Sequence, residues 1–178
     1  MTTDLGGKLS TPISWLDRTD FGVYALCPAG YVDDWDGTEA LDTVSEHVGK
    51  IRLPDHGEVL TLGGEALPVA YFPQTMTFVR TIGHDDESGL HDAVERSEGA
   101  AGWRDDVEIC LGGCYFLIDS MAPGAEAGEE YSIRVDVPPG RYRVQSLFIA
   151  PPMGEFYLHR LRAVPAPAAG TAALVVPG

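Results

Sequence analysis

Alternating apolar and polar positions dominate this chain. In VDVPPGRYRVQS, Val135 to Ser146, a period-2 run stands on each side of Pro138-Pro139-Gly140, and IRLPDHGEVLTL, Ile51 to Leu62, has the same form around Pro54 and Gly57. Side chains that alternate with a period of two line opposite faces of a strand, and proline and glycine supply the backbone conformations of tight turns. Each phrase therefore predicts a β-hairpin.

The remaining segments extend the β reading. FGVYALC, Phe21 to Cys27, is a buried strand stopped by Pro28 and Gly30, and the acidic loop DDWDG follows it. TEALDTVSEHVG predicts a helix: Ala40, Leu41, Val44 and Val48 keep the 3.6 spacing, Thr38 caps the start and Gly49 closes the end. ALPVAYFPQTMTFVRTI is a further strand pair whose Pro68 and Pro73 mark an edge or bends. Leu90, Ala93 and Val94 predict a second short helix before Gly99. VEICLGGCYFLIDS reads as two strands broken at Gly112-Gly113, and EYSIRVDV, GRYRVQSLFIA and FYLHRLRAV as strands after it.

Laid side by side, the two stretches run in the same order: an apolar strand, a loop, the proline-glycine phrase and a last strand. The two phrases lie roughly 84 residues apart, beyond the 20–50-residue period of solenoids. The expected fold is mostly β (α+β), with two similar antiparallel β half-domains carrying hairpins, plus two short helices. The expected divisions are a flexible lead-in over 1–12, half-domains over 13–98 and 99–164, and a Pro/Ala-rich tail over 165–178.

Composition narrows the function classes. At 178 residues and 44% hydrophobic, the chain can bury a core without disulfides or metal. Its three cysteines, Cys27, Cys110 and Cys114, lie in apolar runs, which fits reduced thiols. No leader or membrane-length apolar run is visible, so a cytoplasmic, soluble protein is expected. The 27 Asp and Glu against 12 Lys and Arg give a net charge of -15, which repels nucleic acid. The acids gather in runs: Asp33, Asp34, Asp36, Glu39, Asp42 and Glu46; then Asp85, Asp86 and Glu87; then Glu126, Glu129 and Glu130. Such runs are solvated loops or a docking surface for a basic partner.

The order of motifs resembles a known family. Trp35-Asp36-Gly37 after an apolar strand, a short helix, LTLGGEALPVAYF with FVR behind it, and YFLIDSMAPG followed by VDVPPGRYRVQS are similar to the immunity protein 21 family of bacterial polymorphic toxin systems. The similar segments cover about Ile13 to Val164. One departure marks a divergent member: a Tyr-x-x-x-Cys motif characteristic of the family is absent near the helix, which reads LDTVS, and Tyr24 and Cys27 are spaced one residue too closely. The resemblance implies a mostly β protein that binds and neutralises a co-encoded toxin without chemistry of its own. The acidic charge suits a basic toxin.

The partner-binding candidates are accordingly Asp33, Asp34, Trp35, Asp36, Glu39, Asp42 and Glu46. Trp35 has two readings, an interface anchor among acids or a ring folded back over the core. The stripe Arg134, Arg141, Arg143, Arg160 and Arg162 supports an alternative, a small-molecule-binding or enzymatic β protein of a biosynthetic cluster, unless these arginines pair with the chain's own acids across strands. His84, Asp85, Asp86 and His91 lack the spacing that puts two metal ligands on one helix face, and no catalytic elbow surrounds Ser120. No metal, cofactor or catalytic residue is expected.

Overall fold

A computed structural model describes residues 13–17, 19, 22–37, 47–81, 87–150 and 155–165. The protein is mostly β. Its strands are β1 (Trp15–Leu16), β2 (Tyr24–Pro28), β3 (Val48–Leu53), β4 (Gly57–Leu62), β5 (Val69–Phe72), β6 (Thr77–Thr81), β7 (Arg104–Asp119), β8 (Ser132–Ile149) and β9 (Phe156–Ala163). The helix α1 (Glu87–Ser97) and two 3-10 turns, Val32–Asp34 and Gly124–Glu126, complete the described elements. Most of the predicted first helix falls on 38–46, outside the described residues; Val48 and Gly49, expected at its end, instead open β3.

All described strands join one antiparallel sheet in the order β1-β5-β6-β9-β8-β7-β2-β4-β3. The three strands of residues 99–164 lie in the middle, and those of 13–98 form both flanks.

The first proline-glycine phrase is the hairpin that its pattern predicts: Leu53 pairs with Gly57, and Asp55 and Gly57 take positive φ (65° and 88°) between the strands. The second is not a hairpin, which corrects the expectation. β8 runs unbroken from Ser132 to Ile149 alongside β7, and one extra residue is accommodated between the pairs Leu111↔Gly140 and Gly113↔Val137. Proline lacks the N–H that a ladder needs, so Pro138 and Pro139 sit in this bulge, where pairing is already interrupted. The bulge also changes the phase of burial: Ile133, Val135 and Val137 point inward before it, Tyr142 and Val144 after it. A phase change inside one strand imitates two strands and a turn.

VEICLGGCYFLIDS is likewise part of a single strand, β7. Gly112 faces the bulge, where a Cβ would stand 2.9 Å from the Pro139 Cα, so the glycine permits the close passage of β8.

The two faces of the sheet are buried differently. The inner face forms the main core, which unites Leu16 and Val69 from one flank with Val48, Leu60 and Leu62 from the other, through Phe78, Leu117, Val135 and Val144 in the middle. Residues from both edges meet because the sheet curls onto itself. On the outer face, Leu90, Ala93 and Val94 of α1 pack on Ala70, Phe72, Val79, Phe156 and Leu158, so the predicted apolar stripe of this helix is its buried face. A second outer cluster, Ala25, Cys27, Val59 and Ile118, is covered by Trp35 and Ala127.

The curl is clasped at one end by Arg80. Its guanidinium, 2% exposed, donates to the carbonyl oxygens of Gly63, Gly22 (3.1 Å) and Glu65, which lie in the segments flanking β2, β4 and β5. Burial pulls its pKa below the usual guanidinium value. The Tyr24 hydroxyl adds a bond of 2.7 Å to the Leu67 carbonyl oxygen, joining β2 to the segment before β5. Lysine has one terminal nitrogen in place of the two that hold these carbonyls, so Arg80→Lys is expected to lower unfolding free energy by about 3 kcal/mol or more. Urea unfolding followed by tryptophan fluorescence measures it.

Candidate functional site

The acidic loop is held on the outer face of β2 and β7 by its own tryptophan. Trp35 is 1% exposed, and its indole N–H donates to the Ser120 carbonyl oxygen at 3.0 Å. Of the two readings of this ring, the core one is realised: it covers Ala25, Cys27 and Ile118 and offers no surface to a partner. What it presents instead are its neighbours. Asp33, Asp34 and Asp36 are exposed.

The first and third acidic runs, far apart in sequence, meet on this face. The Gly124 N–H donates to the Trp35 carbonyl oxygen at 2.7 Å, which locks the turn Gly124–Glu126 against the turn Val32–Asp34. Neither turn carries a basic residue in its last turn. Glu126, Glu129 and Glu130 are exposed beside it, and Tyr131, directly after them, leaves about half of its surface in solvent (49%). An exposed aromatic ring next to a carboxylate cluster was not among the sequence candidates, because period-2 alternation into β8 is equally consistent with burial. Glu39, Asp42 and Glu46 lie outside the described residues.

The arginine stripe is occupied by the chain's own groups. Arg143 bridges Asp105 (3.2 Å) and Glu108 (2.7 Å), Arg141 reaches Glu108 at 3.8 Å, and Arg134 pairs with Asp136 at 3.1 Å. The Arg143 bond holds the Glu108 carboxyl below the usual carboxylate range. Arg160 lies 3.9 Å from the centre of the Trp103 ring and donates to Gln145 Oε1 at 2.9 Å. Arg162 is exposed, in register with Arg143. The Arg141 and Arg143 pairs run from β8 to β7 and the Arg134 pair lies within β8, on an open surface rather than in a converging anion cradle.

Cys27 is buried, Cys110 exposed and Cys114 half-buried, none of them in a disulfide. His91 packs edge-on against Phe72 at 5.2 Å, and His84, Asp85 and Asp86 lie outside the described residues. Among the described residues, no group of three or more His, Cys, Asp or Glu is placed to hold a metal, and no helix is long and apolar enough to cross a membrane.

On the inner face, beside the Arg80 clasp, the extra β7 residue between Asp105↔Gln145 and Glu108↔Arg143 sets Asp106 toward Ser146. The Ser146 hydroxyl donates to Asp106 Oδ2, and its oxygen lies 2.8 Å from His159 Nδ1. His159 is 4% exposed, and burial, with the Arg80 charge, pushes its pKa down to about 3.

A family model of immunity protein 21 matches residues 19–154. The chain belongs to the immunity protein 21 family. Neither curated proteins nor solved structures give a significant match. Membership implies a binding role without catalysis, and the pairing of the arginines with their own acids gives the ligand-binding alternative no support.

Two measurements check this geometry. A Cβ on Gly124 would stand 1.8 Å from the Val32 carbonyl oxygen, so Gly124→Ala should cost about 2–4 kcal/mol of stability in urea unfolding as the two acidic turns are forced apart. His159 has a folded pKa below its unfolded value of 6.5, so its contribution is fully present above pH 6.5 and lost on acidification toward pH 3. Between pH 7 and 5 this group alone should remove about 2 kcal/mol, and His159→Phe should flatten that part of the pH dependence.

Proposed function

We propose that this member of the family neutralises a basic toxin by docking it on the acidic outer face formed by the two locked 3-10 turns. The reading rests on one observation: exposed carboxylates from residues 33–36 and 126–130 share a surface built on two turns that contain no basic residue, with exposed Tyr131 at its side. A concentrated negative field raises the encounter rate with a basic partner, and a half-exposed tyrosine ring is a suitable anchor once water is excluded around it. Trp35 contributes indirectly, by fixing the loop that carries Asp33, Asp34 and Asp36. The protein acts stoichiometrically, in the cytoplasm of the cell that makes it, with no cofactor.

Association and dissociation rates with the co-encoded toxin, measured at two salt concentrations, test this reading. Changing Asp33, Asp34 and Asp36 together to Asn should slow association and flatten its salt dependence, while thermal stability is kept because all three side chains are exposed. Tyr131→Ala should raise the dissociation rate by about tenfold or more. Unchanged association of the triple variant at both salts removes this surface as the docking site.

A further inference from the structure

The inner mouth of the sheet holds a cavity of about 250 Å³, on the face opposite the acidic turns. Its described lining includes His47, Glu65, Arg80, Tyr157 and His159, with Gly63 and Gly64 leaving room in the wall. Two buried polar atoms of this lining have no hydrogen-bond partner: Arg80 Nε and His159 Nε2. Each such atom costs roughly 1–3 kcal/mol when left unpaired. Their coincidence at one cavity is the signature of a site whose occupant supplies the missing bonds.

The sense of each bond follows from the geometry. Arg80 Nε–H is a donor. Ser146 has one hydroxyl proton and gives it to Asp106, so its oxygen accepts the proton of His159 Nδ1, and Nε2 is left as an unprotonated acceptor. The cavity therefore asks for an acceptor at Arg80 and a donor at His159. Charge narrows the choice. Among the described lining residues one guanidinium, that of buried Arg80, faces one carboxylate, that of exposed Glu65, so the described site is dipolar.

A simple anion offers no donor to Nε2 and is repelled by Glu65 and by the net charge of -15. A simple amine offers no acceptor to Arg80. We propose that the cavity binds a small zwitterionic amino acid, with its carboxylate toward Arg80 and its ammonium between His159 Nε2 and the Glu65 carboxylate. A hydroxy acid meets the hydrogen-bond demands but leaves Glu65 facing a net anion, so it binds more weakly.

Alanine, lactate, propionate and ethylamine titrated into the full-length ¹⁵N-labelled protein separate these chemistries, with the ring nitrogens of His159 and the Arg80 Nε resonance as readouts. Alanine is expected to give a saturable shift at both residues, with lactate weaker, and propionate and ethylamine weaker by about tenfold or more. Glu65→Gln, a change at an exposed side chain, should cost alanine affinity while leaving lactate unchanged or improved. No saturable shift with alanine, which leaves ordered water as the occupant, overturns the proposal. So does equal binding of alanine and propionate, or an alanine affinity indifferent to Glu65→Gln.

Discussion

The architecture depends on one buried cation. Arg80, on β6, ties its own strand to backbone beside β2 and β4, the carbonyls of Gly22, Gly63 and Glu65, from which sheet order separates it by β9, β8 and β7. Burying a guanidinium costs several kcal/mol in desolvation, which three charge-assisted bonds to carbonyl dipoles offset. The Tyr24 ring lies 5.8 Å from the guanidinium and its hydroxyl is bound to Leu67, so the clasp is continuous with the main core. Without it, the flanks would have no polar reason to stop at this spacing, and the inner face would open.

The curl divides the molecule into surfaces of different character. The inner face is dry along most of its length and becomes polar only at the Arg80 end, where Asp106, Ser146 and His159 form a chain. The outer face is covered in pieces, by α1 over β5, β6 and β9 and by Trp35 with Ala127 over β2, β4 and β7. Between these covers arginines of β8 neutralise acids of β7, whereas the two 3-10 turns contain acids and no basic residue.

Much of this was legible in the sequence, and the failures have a common cause. Period-2 runs identified the strands, Leu90, Ala93 and Val94 identified α1, and the preferred pairing of the arginines with nearby acids follows from antiparallel geometry. The motifs that resemble immunity protein 21 lie within the matched region. What the pattern could not distinguish was a turn from a bulge, because both present proline and glycine at a break in alternation; at Pro138 only the length of the β7 partner decides. The acidic patch was half legible. Asp33 to Asp36 stood out, but their meeting with Glu126 depends on Gly124 approaching the Val32 carbonyl, a contact between residues roughly 90 positions apart that no local rule encodes. The Asp106, Ser146 and His159 chain was invisible for the same reason.

The central position of β7, β8 and β9 sets an order of assembly. During synthesis the first hundred residues can pair β4 with β3 and β2, and β5 with β6 and β1, and these two pieces have no shared partner strand. β2 acquires its second neighbour when β7 emerges, and β6 acquires its own only when β9 does. The Arg80 clasp therefore closes over a sheet whose middle is made last. Until then two apolar half-faces stand open in the same growing chain, which makes folding dependent on distant pairing and exposes edges to other chains in the interval. A sheet of this design becomes complete only once β9 has been made, all at once rather than by halves.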